Sequence, residues 1–268
     1  MSIRLGYHPA TWGGGLDSLW AGAECMASCG WDGVEYCYRD IDQWYDRPDE
    51  FQRKLSGYGL SLASLYISSG FENADVVAEH RSRVAAGAQF CARVGCDFVL
   101  IDGGARNDSG DYSDEDFKRV ADAANACGEI CRDAGLRCSW HQHWGSMFEW
   151  QANFDRLMEM TDPELVLCTP DTAQLALGDF DVVETVRTYA PRVQYIHFKD
   201  LGLDRRFTEL GQGTIDFAAT WEALGAESYE GWLVVDLDYT DLTADESCRV
   251  NKGYLNDTLG IKGLADGR

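Results

Sequence analysis

The chain has 268 residues, 45 of them Asp or Glu against 23 Lys or Arg, for a net charge of −22. A protein this acidic is repelled by phosphate backbones and anionic membrane surfaces, so neither nucleic acid nor membrane is an expected partner. With 45% apolar and 12% aromatic residues it is too hydrophobic to stay disordered and can build a packed core.

In chain order, short β-rich runs alternate with longer amphipathic stretches. A strand at 3–8 leads to a helix at 17–29, a strand at 33–37 to a helix at 49–57, a strand at 60–66 to a helix at 74–94, and a strand at 98–102 to a helix at 113–133. The second half repeats the pattern, with strands at 136–141, 165–168, 193–198 and 232–236 followed by helices at 152–160, 180–190, 216–224 and 244–259. Asp17, Ser113 and Asp216 stand where N-caps are needed, and Gly30, Gly95 and Gly135 supply left-handed C-caps just before a strand. Eight βα units, about 33 residues each, with five Pro and no linker, predict one α/β domain over 1–268, a single (β/α)8 TIM barrel. An open dinucleotide-binding sheet would show G-x-G-x-x-G after its first strand. The run Trp12-Gly13-Gly14-Gly15-Leu16 has the wrong spacing and reads as a flexible loop.

The ten Cys include no C-x-x-C pair. Cys25/Cys29 and Cys127/Cys131, each one helical turn apart, read as small apolar residues on buried faces, so reduced structural thiols are expected. The opening Met-Ser-Ile-Arg-Leu-Gly lacks a basic region followed by an apolar core, and no run approaches the ~18 apolar residues of a membrane span. A cytoplasmic protein is the expectation.

The ionisable residues point to a site. Of five His, His80 is expected to be solvated beside Arg81 and Arg83, whereas His8, His141, His143 and His197 fall at or just beyond the ends of strands one, five and seven. Barrel enzymes carry their chemistry at that end. Glu35, Asp102, Asp171, Asp236 and Asp238 lie at the same level, and the strand period of two puts Asp236 with Asp238, and His141 with His143, on one face. Acids among apolar strand residues need a compensating cation or donors. Mixed imidazole and carboxylate ligands suit a borderline divalent ion such as Mn²⁺, Co²⁺ or Zn²⁺, where an all-oxygen set would suit Mg²⁺. One divalent ion is expected.

The segments Cys138-Ser-Trp-His141-Gln-His143-Trp-Gly145, Pro170-Asp171-Thr172, Tyr195-Ile-His197-Phe-Lys199-Asp200, Glu209-Leu-Gly-Gln-Gly213-Thr-Ile-Asp216-Phe217 and Gly231-Trp-Leu-Val-Val-Asp236 occur in that order. Together they resemble the sugar phosphate isomerase/epimerase superfamily of xylose isomerase-like TIM barrels, in particular its inosose dehydratase-like, 3-keto-glycoside-cleaving branch. Ketose epimerases of that superfamily hold one divalent ion with Glu, Asp, His and Glu after strands five to eight, and the two Glu also move protons. The resemblance therefore implies His141, Asp171, His197 and Asp236 as metal ligands, with Asp238 as the alternative to Asp236 and Mn²⁺ as the favoured ion. The His and the shorter Asp in place of the two Glu argue against a plain epimerase. The implied activity is metal-dependent removal of a proton next to the carbonyl of a keto-sugar or keto-cyclitol, with β-elimination of water or of a glycoside, C-glycosides included. The alternatives are a ketose isomerase or 3-epimerase working through an enediolate and, outside catalysis, a sugar-binding barrel subunit. A related DNA-cleaving barrel with several zinc ions would need more His and a basic surface, which a charge of −22 denies.

Within that reading His143 is the base, or else a hydrogen-bond partner that orients a ligand. Lys199 polarises the carbonyl or protonates the leaving group, or pairs with Glu35 or Asp238, and Glu35 is the second candidate acid/base. Substrate contacts are expected from His8, Trp12, Trp144, Arg206, Glu209 and Asp238. Trp12 and Trp144, with Trp140 and Phe71, would wall a sugar ring or belong to the core. Arg205 and Arg206 would meet an acidic substrate, although the lack of a second basic cluster favours an unphosphorylated polyol. Glu209 organises the loop after strand seven or touches a substrate hydroxyl. Besides the small-molecule substrate, a homo-oligomer or a small partner subunit is the other partner considered.

Overall fold

A computed structural model describes residues 3–13, 16–107, 109–226 and 228–267. Its strands are β1 (Arg4–His8), β2 (Gly33–Cys37), β3 (Ser61–Ile67), β4 (Phe98–Ile101), β5 (Arg137–His141), β6 (Val166–Thr169), β7 (Tyr195–Phe198), a short antiparallel hairpin of β8 (Asp200–Leu201) and β9 (Phe207–Thr208), and β10 (Trp232–Asp236). Apart from the hairpin all pair in parallel, in the order β6-β5-β4-β3-β2-β1-β10-β7. The ring closes from β7 to β6 through one parallel bridge, Asp171 to His197, where the His197 N–H donates to the Pro170 carbonyl at 2.9 Å. Thr172 laces the same seam, its hydroxyl donating to the Lys199 carbonyl at 2.7 Å and accepting from the Lys199 N–H at 2.9 Å. The chain is a single (β/α)8 TIM barrel, as the alternation of its sequence predicts.

The helices are α1 (Leu16–Ser28), α2 (Pro48–Gly57), α3 (Val77–Val94), α4 (Asp114–Asp133), α5 (Gln151–Met160), α6 (Thr172–Leu177), α7 (Val182–Tyr189), α8 (Phe217–Ala223) and α9 (Ala244–Gly253). Ser113 and Thr243 form reciprocal capping boxes with Asp116 and Glu246, and Asp216 caps α8 as expected. Gly30, Gly95 and Gly135 take φ of 75°, 76° and 77°, the left-handed geometry that ends a helix before a strand. Gly14, Gly15 and the Asp17 side chain of the expected cap lie outside the described residues. The last expected helix is shorter than the sequence suggests, since α9 ends at Gly253 and a π-turn at Tyr254–Thr258 follows. The sequence reading also lacks α6, whose six residues are too few to establish a period.

Two hydrophobic layers fix the strand ends. Inside the barrel, Ala63, Phe98, Leu100, Tyr195, Trp232 and Val234 form a closed cluster, while a larger one lies between strands and helices. Trp232 fits only because Gly33 faces it, since a Cβ there would lie 2.5 Å from its Cη2. Parallel register then sets His8 opposite Asp236, Val234 opposite His197, and His141 opposite Thr169. Acid and imidazole groups thus reach one level above a dry floor. All ten Cys are unbridged, with Cys29 and Cys37 half-buried and the others buried. Among the described residues no helix is long and apolar enough to cross a membrane.

Candidate active site

Above the floor opens a cavity of about 790 Å³, whose wall includes His8, Glu35, His141, His143, His197 and Lys199. Behind this wall stands Asp171, the second residue after β6. As N-cap of α6, Asp171 accepts from the N–H groups of Ala173 and Gln174 through Oδ1 at 3.1 and 3.0 Å, which leaves Oδ2 to face His141 Nε2 at 3.5 Å and His197 Nδ1 at 3.7 Å. Asp171 is fully buried, yet Oδ2 makes no hydrogen bond among the described residues. Neither ring nitrogen of buried His141 has such a partner, nor does His197 Nδ1. Ligand atoms from His141, Asp171, His197 and Asp236 all lie within 4.8 Å of one another. Leaving buried polar atoms without hydrogen bonds is costly, so their convergence fits a shared cation. Two imidazoles and two carboxylates are the donor set of a borderline divalent ion.

Glu35 explains the orientation of His197. It is 1% exposed and accepts from Ser64 Oγ at 2.6 Å, Tyr195 OH at 2.7 Å, His8 Nδ1 at 2.9 Å and His197 Nε2 at 3.1 Å. A carboxylate so surrounded makes His197 Nε2 the donor and turns Nδ1 toward Asp171 Oδ2 and Asp236 Oδ2, each 3.7 Å away. The geometry gives Glu35 the part of an orienting group, since all its close partners are protein donors. Burial would raise its pKa, but His197 and His8 outweigh burial and hold it well below the usual carboxylate range.

Lys199 supplies the compensating charge. Its Nζ lies 2.8 Å from Asp236 Oδ2, 2.8 Å from Asp238 Oδ2 and 3.5 Å from Asp171 Oδ2. Of the two alternative partners named from sequence, Glu35 and Asp238, the structure pairs Lys199 with Asp238. Burial opposes the ammonium, yet the three carboxylates keep its pKa well above the ordinary lysine value. Burial likewise opposes charging His197, and Glu35, Asp171 and Asp236 overcome it, raising its pKa to about 10. His141 falls below its ordinary value, chiefly through burial, with His197 and His143 adding to that and Asp171 opposing.

His143 stands half-buried at the wall, its ring 5.8 Å from that of His141. Nδ1 lies 2.6 Å from the Trp144 carbonyl, so Nδ1 carries the proton and Nε2 presents a lone pair. Gln174 holds this loop, with Oε1 accepting from Trp144 N–H at 3.1 Å and Nε2 lying 3.5 Å from His143 Nε2.

Four residues expected at the substrate stand away from the cavity wall. Trp12 packs edge-on against Tyr7 and donates to Asp245 at 3.0 Å, which ties the loop after β1 to α9. Trp144 is 44% exposed and contributes its backbone to the site. Arg206 is exposed beside the hairpin, over Tyr239 and 3.6 Å from Asp241. Glu209 is buried and occupied by the hydroxyls of Thr240 and Thr208. The loop after β7 is organised chiefly by Asp200, which accepts the N–H groups of Leu201, Gly211, Gly213 and Ile215 at 2.8–3.1 Å. Trp140 and Phe71 are core. His80, expected in solvent, instead lines the cavity and accepts from the Gly70 N–H at 2.9 Å through Nδ1, because the chain after β3 folds back over the start of α3. Its neighbour in the wall, Arg83, and Arg39 beyond β2 place basic side chains at the mouth that the sequence pattern did not single out.

Known proteins share this fold. An inosose dehydratase of Geobacillus kaustophilus is 29% identical over 221 residues, 71% of this chain and 72% of that protein. The structure of the IolI protein with a zinc atom superposes with a TM-score of 0.82 at 16% identity, covering 96% of this chain and 98% of that one. An L-ribulose 3-epimerase gives 0.81 at 18%, covering 96% and 95%. The family model of xylose isomerase-like TIM barrels matches residues 24–254. The chain belongs to the family of xylose isomerase-like TIM barrels, and it is an enzyme.

Proposed function

We propose that the protein is a divalent-metal-dependent dehydratase acting on a keto-cyclitol or keto-sugar. The observation that carries this reading is the cluster of buried atoms without hydrogen bonds on His141, Asp171 and His197, with Asp236 beside them, at the base of a cavity sized for a monosaccharide. His141, Asp171, His197 and Asp236 would hold the metal, with Mn²⁺ favoured and Co²⁺, Zn²⁺ and Mg²⁺ as alternatives. When bound, the ion supplies Lewis-acid stabilisation of negative charge on substrate oxygen.

The chain's own groups supply the rest. His143 Nε2, whose lone pair is freed by the Nδ1 contact to Trp144, takes the proton on the carbon next to the carbonyl. The electrons of that C–H bond form a carbon–carbon double bond as the β-carbon–oxygen bond breaks, and the departing hydroxyl leaves as water after taking one proton. Lys199, held protonated by three carboxylates and set in the cavity wall, stabilises charge on substrate oxygen and donates that proton. His8 and Asp238, both in the wall, are placed to contact substrate hydroxyls. Glu35 acts through His197 and His8 and need not meet substrate.

The test is incubation with Mn²⁺ in D₂O and a panel of inososes, ketoses and 3-keto glycosides. Formation of a conjugated enone or diketone is expected from an inosose. Deuterium in a recovered epimer, with no alkene, would replace dehydration by epimerisation. No exchange and no product with any member would overturn the catalytic assignment.

A further inference from the structure

A second group of potential ligands lies away from the cavity. Cys25 and Cys29 stand one turn apart on α1, Cys248 faces them from α9, and the three Sγ atoms lie within 4.8 Å of one another. Among the described residues this is, with the quartet at the cavity, one of two such convergences of three or more Cys, His, Asp or Glu ligand atoms. We propose that Cys25, Cys29 and Cys248 form a binding site for a soft, thiophilic cation, with Cu⁺ as the ion that best fits a three-sulfur set.

The plain alternative is three small apolar side chains at a helix contact, and three observations separate the two. A polar donor addresses one of the sulfurs, since the Trp31 indole Nε1–H donates to Cys248 Sγ at 3.2 Å. Access is graded as well. Cys25 and Cys248 are buried at 6% and 0% exposure, whereas Cys29 is half-buried and offers an entry point. The thiols along α3 and α4 differ, with Cys91, Cys127 and Cys131 all buried and no opening at any of them. Finally, a disulfide does not exhaust the cluster. Cys25 and Cys29, at i and i+4 of a helix, have Cβ atoms about 5–6 Å apart, too far for a bridge. A bond from Cys248 to either would leave one thiol over, whereas a cation engages all three.

The ion choice follows from the ligand count. Zinc in closed sites takes four ligands. A neighbouring carboxylate, Asp245, already accepts from Trp12 Nε1 at 3.0 Å and pairs with Arg249 at 3.7 Å. Three sulfurs, with no other ligand atom converging on them among the described residues, suit the soft monovalent ion. Binding would displace the thiol protons.

The full-length protein, anaerobic and reduced, is titrated with Cu⁺ delivered from a chromogenic chelator, and in a parallel arm with Zn²⁺. The His197→Ala background breaks the cavity quartet, and loss of the ion on adding Cys29→Ser reads the thiol site alone, so failure of the dehydratase reading and failure of this one are told apart. One equivalent of ion is expected to be held in that background and lost on adding Cys29→Ser. In the unsubstituted chain, bound ion should slow alkylation of Cys29 at least tenfold, read by mass spectrometry, which needs no variant to fold. Retention of either ion with that protection supports the site and identifies the ion. Equal retention with and without Cys29→Ser, or unchanged alkylation, overturns it. So does a Cys248 disulfide that persists under the reduced conditions.

Discussion

The replacement Glu35→Gln separates two roles for a buried carboxylate. As an orienting group, Glu35 fixes His197 through a charge-assisted bond of 3.1 Å and is itself satisfied by Ser64, Tyr195 and His8. The amide keeps one oxygen, which can still accept from Ser64, Tyr195 and His197, and its NH₂ can face His8 in the other tautomer. What is lost is the negative charge behind His197. A hydrogen bond to a charged group contributes about 1.5–3 kcal/mol net, so the ligand strength of His197 should fall by roughly 10- to 100-fold in metal affinity, in line with other outer partners of metal-bound histidines. The assay is competition for Mn²⁺ or Zn²⁺ against a chromogenic chelator, followed by turnover at saturating metal. The expected result is weakened metal binding, with most of kcat recovered once metal is in excess. An unchanged metal affinity combined with a loss of kcat of several thousandfold would refute the orienting role and make Glu35 an acid/base that meets substrate.

Three further outcomes follow from the same geometry. Lys199→Met leaves Asp171 and Asp236 buried without their cation, so the metal-free protein should lose about 3–5 kcal/mol in denaturant unfolding, with much of it restored by a divalent ion; no loss would mean that the pair contributes nothing. In chelator, thermal melts should weaken at both ends of the pH range. The His197 pKa is raised from 6.5 to about 10, so its contribution is complete below 6.5 and fades as pH rises toward 10, while the depressed Glu35 and Asp171 contributions are present above the ordinary carboxylate range and fade as pH falls. A flat profile from neutral pH to 10 would contradict the charge placement around His197. Gly33→Ala drives a methyl to 2.5 Å from Trp232 Cη2 and 2.7 Å from the Ser61 carbonyl, and should cost about 1–3 kcal/mol or more without touching the cavity; an unchanged melting temperature would show that Trp232 can move aside.

Much of this was legible in the sequence because strand ends are local. His8, His141, Asp171, His197 and Asp236 could be set at one barrel mouth from the βα alternation and the strand period alone, and register then brings them together. Lys199 followed from its spacing of two from His197. What stayed hidden depends on partners distant in the chain. The donors to Glu35 come from β1, β3 and β7, so its saturation is invisible from β2. His80 reaches the cavity by the path of the loop after β3, which has no period to read. Trp12, Trp144, Arg206 and Glu209 lay in loops at the right level, but their directions are set by Asp245, Gln174, Asp241 and Thr240 on other segments. Cys25 and Cys29 could be paired by helical spacing, whereas Cys248 joins them only once α9 returns beside α1.

The barrel is a ring with seven continuous ladders and one pinned gap. Between β6 and β7 the backbone is joined at Asp171 and His197, laced above by Thr172 and braced below by Arg192, whose guanidinium bonds the Val166 carbonyl at 2.5 Å and Thr161 Oγ1 at 3.0 Å. The two residues that fasten the gap also stand in the ligand quartet. Occupancy of that quartet and closure of the ring are therefore one equilibrium seen from two sides. Whatever binds there acts as a clasp, and its departure should speed hydrogen exchange at the β6 and β7 amides before the other ladders respond.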